Sequence, residues 1–402
     1  MKKILIWNTF PLKNAGGPSG YNYNIKEYTK RHPDIQITFL SDIVKEPVYT
    51  NPPIAIKSSQ KSVWRKLVNG IKYRKGILLN FISGSYNKPF IGLPENFNIN
   101  KYDIVHLHFS MHTYRFRHTF PHFEGKIVVT SHQPCASVDE LLDTTQYKWL
   151  RFFRHWGLKQ EGRSYDGADY IMFPCKEARE PYEKEIILRR AFQRNESKFI
   201  YVPSSVLDIT VNETSMQKFS EIGIPDNAFV ITYFGRHNLV KGYDILKIVG
   251  RKLLDKYPDL YFLCAGKGDI SPISHPRWIE LGFINNVDEL LWQSNLYILP
   301  NRDTYFDLIT LEILRSGTHI ILSTTGGNRF FETLPKDETE GMDFFEIDDI
   351  NSLVAKVETH IRQYMTDPVG YKAIDCKNRD LFLRRFTMDS FMRNYLNAFE
   401  RI

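Results

Sequence analysis

What the chain has little of narrows it first. Cysteine occurs at only four positions, 135, 175, 264 and 376, never in CxxC spacing. Neither a disulfide framework nor a thiolate zinc site is therefore expected, and a reducing cytoplasm is. No apolar run approaches the roughly eighteen residues of a spanning helix, so none is expected. The opening Met1-Lys-Lys-Ile-Leu-Ile-Trp-Asn8 has too short an apolar run for a secretory leader and no small-residue cleavage site. Metal-ligand spacing of His, Asp and Glu is also missing, so no metal is expected. Gly266-Lys-Gly268 is not a dinucleotide fingerprint, because Ser271 stands where the third glycine belongs, and a nicotinamide cofactor is set aside. Internal repeats and low-complexity tracts are missing too.

What is present is an ordinary soluble composition over a length too great for one core. At 402 residues, two domains are the default expectation. Aromatics reach 14%, which suits either heavy cores or a cleft for planar or sugar ligands. The net charge of +7 is unevenly placed: between Lys57 and Lys88 stand eight Lys or Arg and no acid. Trp64, Leu67, Ile71 and Leu78 recur there at roughly helical spacing, and Tyr147 to Trp156 is a second aromatic and basic stretch. Such segments fit the headgroup layer of an anionic membrane or an anionic acceptor, or equally a solvated helix face. Nucleic acid is not expected, since these residues sit in no recognisable binding module.

Short apolar runs alternate with helical stretches along the whole chain. Strands are expected at Ile4–Trp7, Ile35–Leu40, Ile104–His108, Ile127–Thr130, Tyr170–Phe173 and Phe199–Val202. A second series is expected at Phe229–Phe234, Leu260–Cys264, Leu296–Leu299 and Ile320–Ser323, with helices at Tyr243–Lys256 and Val287–Trp292 between them. Near-continuous apolar strands imply parallel sheets covered on both faces. The fold class is therefore α/β, with two doubly wound Rossmann-like domains facing one another. The boundary falls after Val202-Pro-Ser-Ser205, in the polar stretch up to about Pro225, and Arg379 to Ile402 reads as one or two terminal helices.

Two segments carry the chemistry. Tyr233-Phe-Gly-Arg-His-Asn-Leu-Val-Lys-Gly242 follows one strand and supplies two cations, Arg236 and Lys241, between Gly235 and Gly242. Asn301-Arg-Asp-Thr-Tyr-Phe-Asp-Leu-Ile-Thr-Leu-Glu312 follows another and places Glu312 at the start of an apolar helix. Cations suit a diphosphate and a carboxylate suits ribose hydroxyls. Taken singly, each also reads as a surface residue or a dipole-favoured acid. Gly16-Gly-Pro-Ser-Gly20 follows the first strand and reads as an anion-binding loop or a plain tight turn. His132, just past the strand ending at Thr130, is placed for ligand contact or for structure. His106 and His108 alternate on one strand and read as core or rim residues rather than a metal pair.

At these residues the chain resembles the family 4 glycosyltransferases, retaining enzymes of the GT-B fold. Gly235-Arg236 with Lys241-Gly242 is similar to the family's GR…KG segment, which grips the donor diphosphate. Leu281-Gly-Phe-Ile284 resembles the segment that reads the donor base, and Ser294 to Gly317 the E-x7-E region, with Ser323 to Gly327 as the strand and turn that follow. Gly16, Gly17 and His132 are similar to the glycine loop and sugar-contacting histidine. The resemblance implies Arg236, Lys241 and His132 as catalytic. It implies a donor site drawn from Gly16, Gly17 and Gly235, from Phe283 and Ile284, and from Asp303, Thr304, Asp307, Leu308 and Glu312. It also implies domains over 1–207 and 208–384, with a helix at 385–402 crossing back. One departure stands out: the family's first glutamate falls at Thr304, where Asp303 or Asp307 would have to substitute.

The expected function is a metal-independent retaining transfer of sugar from a nucleotide-diphosphate donor to a glycan or lipid-linked acceptor. The expected setting is cytoplasmic, at the inner membrane face. Two alternatives stay open: a sugar-nucleotide epimerase, and a non-catalytic GT-B partner or carbohydrate-binding subunit, which Thr304 makes plausible.

Overall fold

The computed structural model describes residues 2–9, 12–13, 17–44, 90, 92–145, 153–209, 211–212, 216–284 and 287–402. The basic segment 57–88, Gly16 and residues 147–152 lie outside them.

Two six-stranded sheets form, and every strand pair in both is parallel. The first contains β1 (Ile4–Trp7), β2 (Ile37–Phe39), β3 (Ile104–Leu107), β4 (Lys126–Thr130), β5 (Tyr170–Phe173) and β6 (Phe199–Tyr201). The second contains β7 (Phe229–Phe234), β8 (Leu260–Ala265), β9 (Trp278–Glu280), β10 (Leu296–Leu299), β11 (His319–Ser323) and β12 (Met342–Phe345). Spatial orders are β2-β1-β3-β4-β5-β6 and β12-β11-β10-β7-β8-β9. Central strands such as β7 and β11 are buried along their whole length, which is why they read as unbroken apolar runs.

Those orders decide where a ligand goes. In the second sheet the chain runs outward from β7 through β8 to β9, then restarts at β10 and runs the other way. The switch point therefore lies between β7 and β10, and the crevice at their C-terminal ends is where open α/β sheets bind ligands. The first sheet switches between β1 and β3 by the same logic.

The chain ends on the domain it began with. The Met388–Glu400 helix lays Met388, Phe391, Met392, Tyr395 and Phe399 onto Ile4, Ile6, Tyr21 and Ile25. Thr387 caps it, its hydroxyl accepting the Ser390 amide at 3.3 Å. Edge strands β9 and β12 and the Ile350–Thr366 helix were not expected from the sequence. The helix expected over Tyr243–Lys256 stops at Leu253.

Candidate active site

The turn after β7 is built around one tyrosine. The Tyr233 hydroxyl lies 2.9 Å from the Arg236 carbonyl and 3.1 Å from that of Lys241, so one side chain braces both ends of the turn. Gly242 closes it with φ of 65°, and a Cβ there would stand 1.8 Å from the Pro300 carbonyl oxygen. The turn after β7 and the end of β10 are thus held in backbone contact. His237 stacks on Tyr243, with ring centroids 3.8 Å apart.

Arg236 emerges from this turn exposed, and its guanidinium has no partner among the described residues. Lys241 differs: its ammonium is 2.9 Å from both carboxylate oxygens of Asp307, which also accepts from the Asn301 amide. Glu312 lies half-buried in the second turn of the Leu308–Ser316 helix, and its carboxylate accepts no hydrogen bond among the described residues. Burial pushes it up to about 7, with Arg315 opposing and Asp288 reinforcing the shift. A carboxylate with no donor among the described residues is left able to accept hydrogen bonds from a ligand.

Other residues expected at the donor site are placed differently from one another. Thr304 is fully buried; its hydroxyl donates to the Thr325 carbonyl at 2.5 Å and accepts the Asn328 amide at 3.3 Å. Gly326, at φ of 46°, packs so closely that a Cβ would sit 2.1 Å from the Thr304 carbonyl oxygen. Thr304 therefore holds two loops together and faces no cleft. Asp303 pairs with Lys184 of the first domain. Phe283 is 71% exposed, Ile284 packs against the core, and Leu308 is half-buried at the helix start. Gly235 sits at the end of β7, its amide donating to the Ala265 carbonyl at 2.9 Å.

On the first domain, Gly17 opens the helix Gly17–Arg31 with φ of 72°. His132 stands two residues past β4, its Nε2 2.8 Å from Nδ1 of His108 just past β3. Burial pushes His132 down to about 3, so the ring is neutral near pH 7. Its loop is pinned from beneath: the Tyr182 hydroxyl donates to the Gln133 carbonyl at 2.7 Å. Ser137 starts the next helix with its amide donating to Glu161 at 2.9 Å. Glu161 is wholly buried and pushed up to about 7 by desolvation, although the Ser110 and Ser137 hydroxyls both donate to it.

The two sets of strand ends meet. Tyr305 of the second domain reaches within 6.1 Å of the His132 ring and 5.3 Å of Phe173. Glu180 accepts from Arg329 at 2.9 Å and from the Gly326 amide at 3.2 Å across the same seam. Sequence reasoning missed Tyr233, Tyr305, Glu161 and the His108 contact. The alternation of His106 and His108 was the one signal for the last. Among the described residues, no group of three or more His, Cys, Asp or Glu is arranged for a metal, and no helix is long and apolar enough to cross a membrane.

Two parallel-stranded domains meeting at their C-terminal edges, each with a switch-point crevice, define the GT-B fold. Residues 228–363 match the family model described as glycosyl transferases group 1. The catalytic domain of starch synthase IV from Arabidopsis thaliana, bound to ADP and acarbose, superposes with a TM-score of 0.65 at 13% identity, covering 100% of this chain and 99% of that one. Anabaena HepE in complex with UDP and glucose superposes at 0.63 and 13%, covering both chains fully. In sequence, the chain is 24% identical over 180 residues to the UDP-Gal:alpha-D-GlcNAc-diphosphoundecaprenol alpha-1,3-galactosyltransferase of Escherichia coli, 39% of this chain and 46% of that protein. It spans less than half the length of the curated relatives it matches.

Proposed function

We propose that the chain is a glycosyltransferase that moves a sugar, with retention, from a nucleotide-diphosphate donor to a glycan or lipid-linked acceptor. One observation carries this reading. Arg236 and Glu312, opposite in charge and both without protein partners among the described residues, flank the second sheet's switch point inside the segment that matches the group 1 model. The diphosphate lies against Arg236, and the ribose hydroxyls donate to Glu312. In the reaction the bond from the anomeric carbon to the diphosphate oxygen breaks and the acceptor oxygen takes its place. The acceptor proton passes to the departing phosphate. Arg236 and Lys241 neutralise the charge growing on that phosphate, which favours the transition state over the ground state. Lys241 must exchange Asp307 for phosphate to do so. His132 and the Gly17 amide complete the sugar end, and Tyr305 against His132 closes the seam to water.

The Escherichia coli relative's name pairs UDP-Gal with a diphosphoundecaprenol-linked acceptor, which supports a uridine donor and a lipid-linked acceptor here. The basic segment 57–88 would then meet the anionic inner membrane face. Unchanged liposome sedimentation after neutralising Lys66, Lys72, Arg74 and Lys75 would count against that placement.

Thermal shift with UDP, GDP, ADP and their sugar conjugates, on wild type and Glu312→Ala, tests the donor site. A ligand binding only the folded state adds on the order of 2.7 kcal/mol at a hundred times its Kd. A base-selective shift lost in the variant is expected; no shift from any nucleotide would sink the reading. A second reading, a non-catalytic GT-B partner, is favoured by Thr304 being locked and by Asp303 and Asp307 both being paired. It requires that nucleotide binds without turnover.

A further inference from the structure

Adjacent parallel strands β3 and β4 run in register, with His106 beside Val128 and Leu107 beside Val129. Past that register His108 lies level with Thr130, and His132, two residues further on, turns back to meet it. Their rings lie 5.1 Å apart at 18°, and Tyr21 closes the side with its centroid 4.9 Å from His132 and 5.6 Å from His108. Burial pushes both rings far enough down to be neutral, so across the 2.8 Å contact one must donate and the other accept.

The other nitrogen of His108 decides which. Its Nε2 is fully buried and has no hydrogen-bond partner among the described residues. His106, 4.1 Å away, offers none, because its own nitrogens are taken by the Tyr395 hydroxyl at 2.8 Å and the Thr130 hydroxyl at 2.7 Å. If His108 accepted at Nδ1, its proton would sit on Nε2 as a buried N–H with nothing to receive it. If it donates, Nε2 keeps only a bare lone pair, and proteins tolerate an under-used acceptor more readily than an orphaned N–H.

We propose that His108 is a positioning residue that fixes the tautomer of His132, donating from Nδ1 to Nε2 of His132 and leaving the His132 proton on its own Nδ1. That Nδ1 has no protein partner among the described residues, and the ring of Tyr305 from the second domain lies 6.1 Å from the His132 ring. His132 then presents a neutral N–H to an oxygen of the substrate and cannot act there as a proton-abstracting base. This rests on the reading that His132 meets the sugar, and it deepens that reading: the subsite selects a hydroxyl oxygen that accepts.

The tautomer is read directly by 15N NMR of histidine-labelled ligand-free protein near pH 7, with His132 assigned by its loss in His132→Asn. A pyrrole-type Nδ1 and a pyridine-type Nε2 are expected; the reverse pattern overturns the proposal whether or not the protein transfers sugar. Kinetics give the second arm, with folding checked by thermal melts. The His108→Asn amide N–H replaces Nδ1–H and is expected to keep kcat within about threefold. His108→Leu is expected to lose roughly tenfold or more in kcat with KM for the donor little changed, as when a catalytic histidine loses its orienting partner. Equal losses in both variants, with both folded, would also overturn it.

Discussion

The two sheet edges that face each other across the cleft use opposite electrostatics. On the second domain, Arg236 after β7 and Glu312 in the helix after β10 have no partners among the described residues, and Lys241 pairs with Asp307. On the first domain burial holds three histidines neutral: His106 within β3, bonded to hydroxyls, and His108 and His132 just past β3 and β4, bonded to one another. Under the proposed reaction this division follows the substrate. A departing diphosphate gathers charge and needs cations, whereas sugar hydroxyls need oriented donors and acceptors that do not themselves ionise. The second domain leaves Arg236 and Glu312 without partners among the described residues, whereas the first ties its histidines together.

The comparison breaks first at Arg236. Arg236→Ala is expected to lower kcat by roughly a hundredfold to a thousandfold, as loss of a preorganised charge-stabilising donor does, in steady-state assays at saturating donor. Little change would mean that the charged half only binds.

Next in size is a stability effect on the neutral side. Burial pushes Glu161 up to about 7 in the folded chain, from an ordinary value of 4.5. The folded state therefore holds more protons than the unfolded one between those values, and stability falls as pH rises through that window. The loss amounts to up to about 3 kcal/mol. Urea melts from pH 5 to pH 8 are expected to show this contribution as the difference between wild type and Glu161→Gln, the two profiles diverging at the acid end.

Lys241→Ala is expected to cost less than Arg236→Ala, roughly tenfold to thirtyfold in kcat, since Asp307 already offsets part of its charge. A loss equal to that at Arg236 would show that the pair opens fully in the transition state. Glu312 sharpens the contrast through pH. Its carboxyl, pushed up to about 7, must ionise to accept two ribose hydroxyls. Nucleotide affinity by calorimetry is expected to rise about tenfold from pH 6 to pH 8 and then level, and to be flat in Glu312→Gln. The smallest effect belongs to the seam. Glu180 and Arg329 are both partly exposed, so Glu180→Ala is expected to cost under about 1 kcal/mol of stability, and less at high salt.

Much of this was legible in sequence because buried parallel strands announce themselves. β1, β5, β7 and β10 match their expected limits residue for residue. β9 and β12 did not show. Trp278-Ile-Glu280 is three residues long, and Met342-Asp-Phe-Phe345 is interrupted by Asp343, so neither edge strand makes an apolar run. At the candidate site, charge placement at strand ends was readable, which is why Arg236, Lys241 and Glu312 were singled out. Pairing was not. Whether Asp303 points to a sugar or to Lys184 depends on a residue 119 positions away, and the His108 contact on the register of two strands. Thr304 looked like a gap in a motif; it is a rivet between loops.

The return of the final helix to the first sheet has a mechanical consequence. The backbone crosses between domains twice, once between Tyr201 and Phe229 and again around Phe386 to Met388. These crossings are fastened side by side, the Ser205 hydroxyl donating to the Phe386 carbonyl, while Arg379 clasps Asp208 at 2.7 Å. Two adjacent tethers form a strap with width. A strap of that kind is expected to fold more easily than it twists, which would make opening and shutting the softer motion and rotation of one domain over the other the stiffer one.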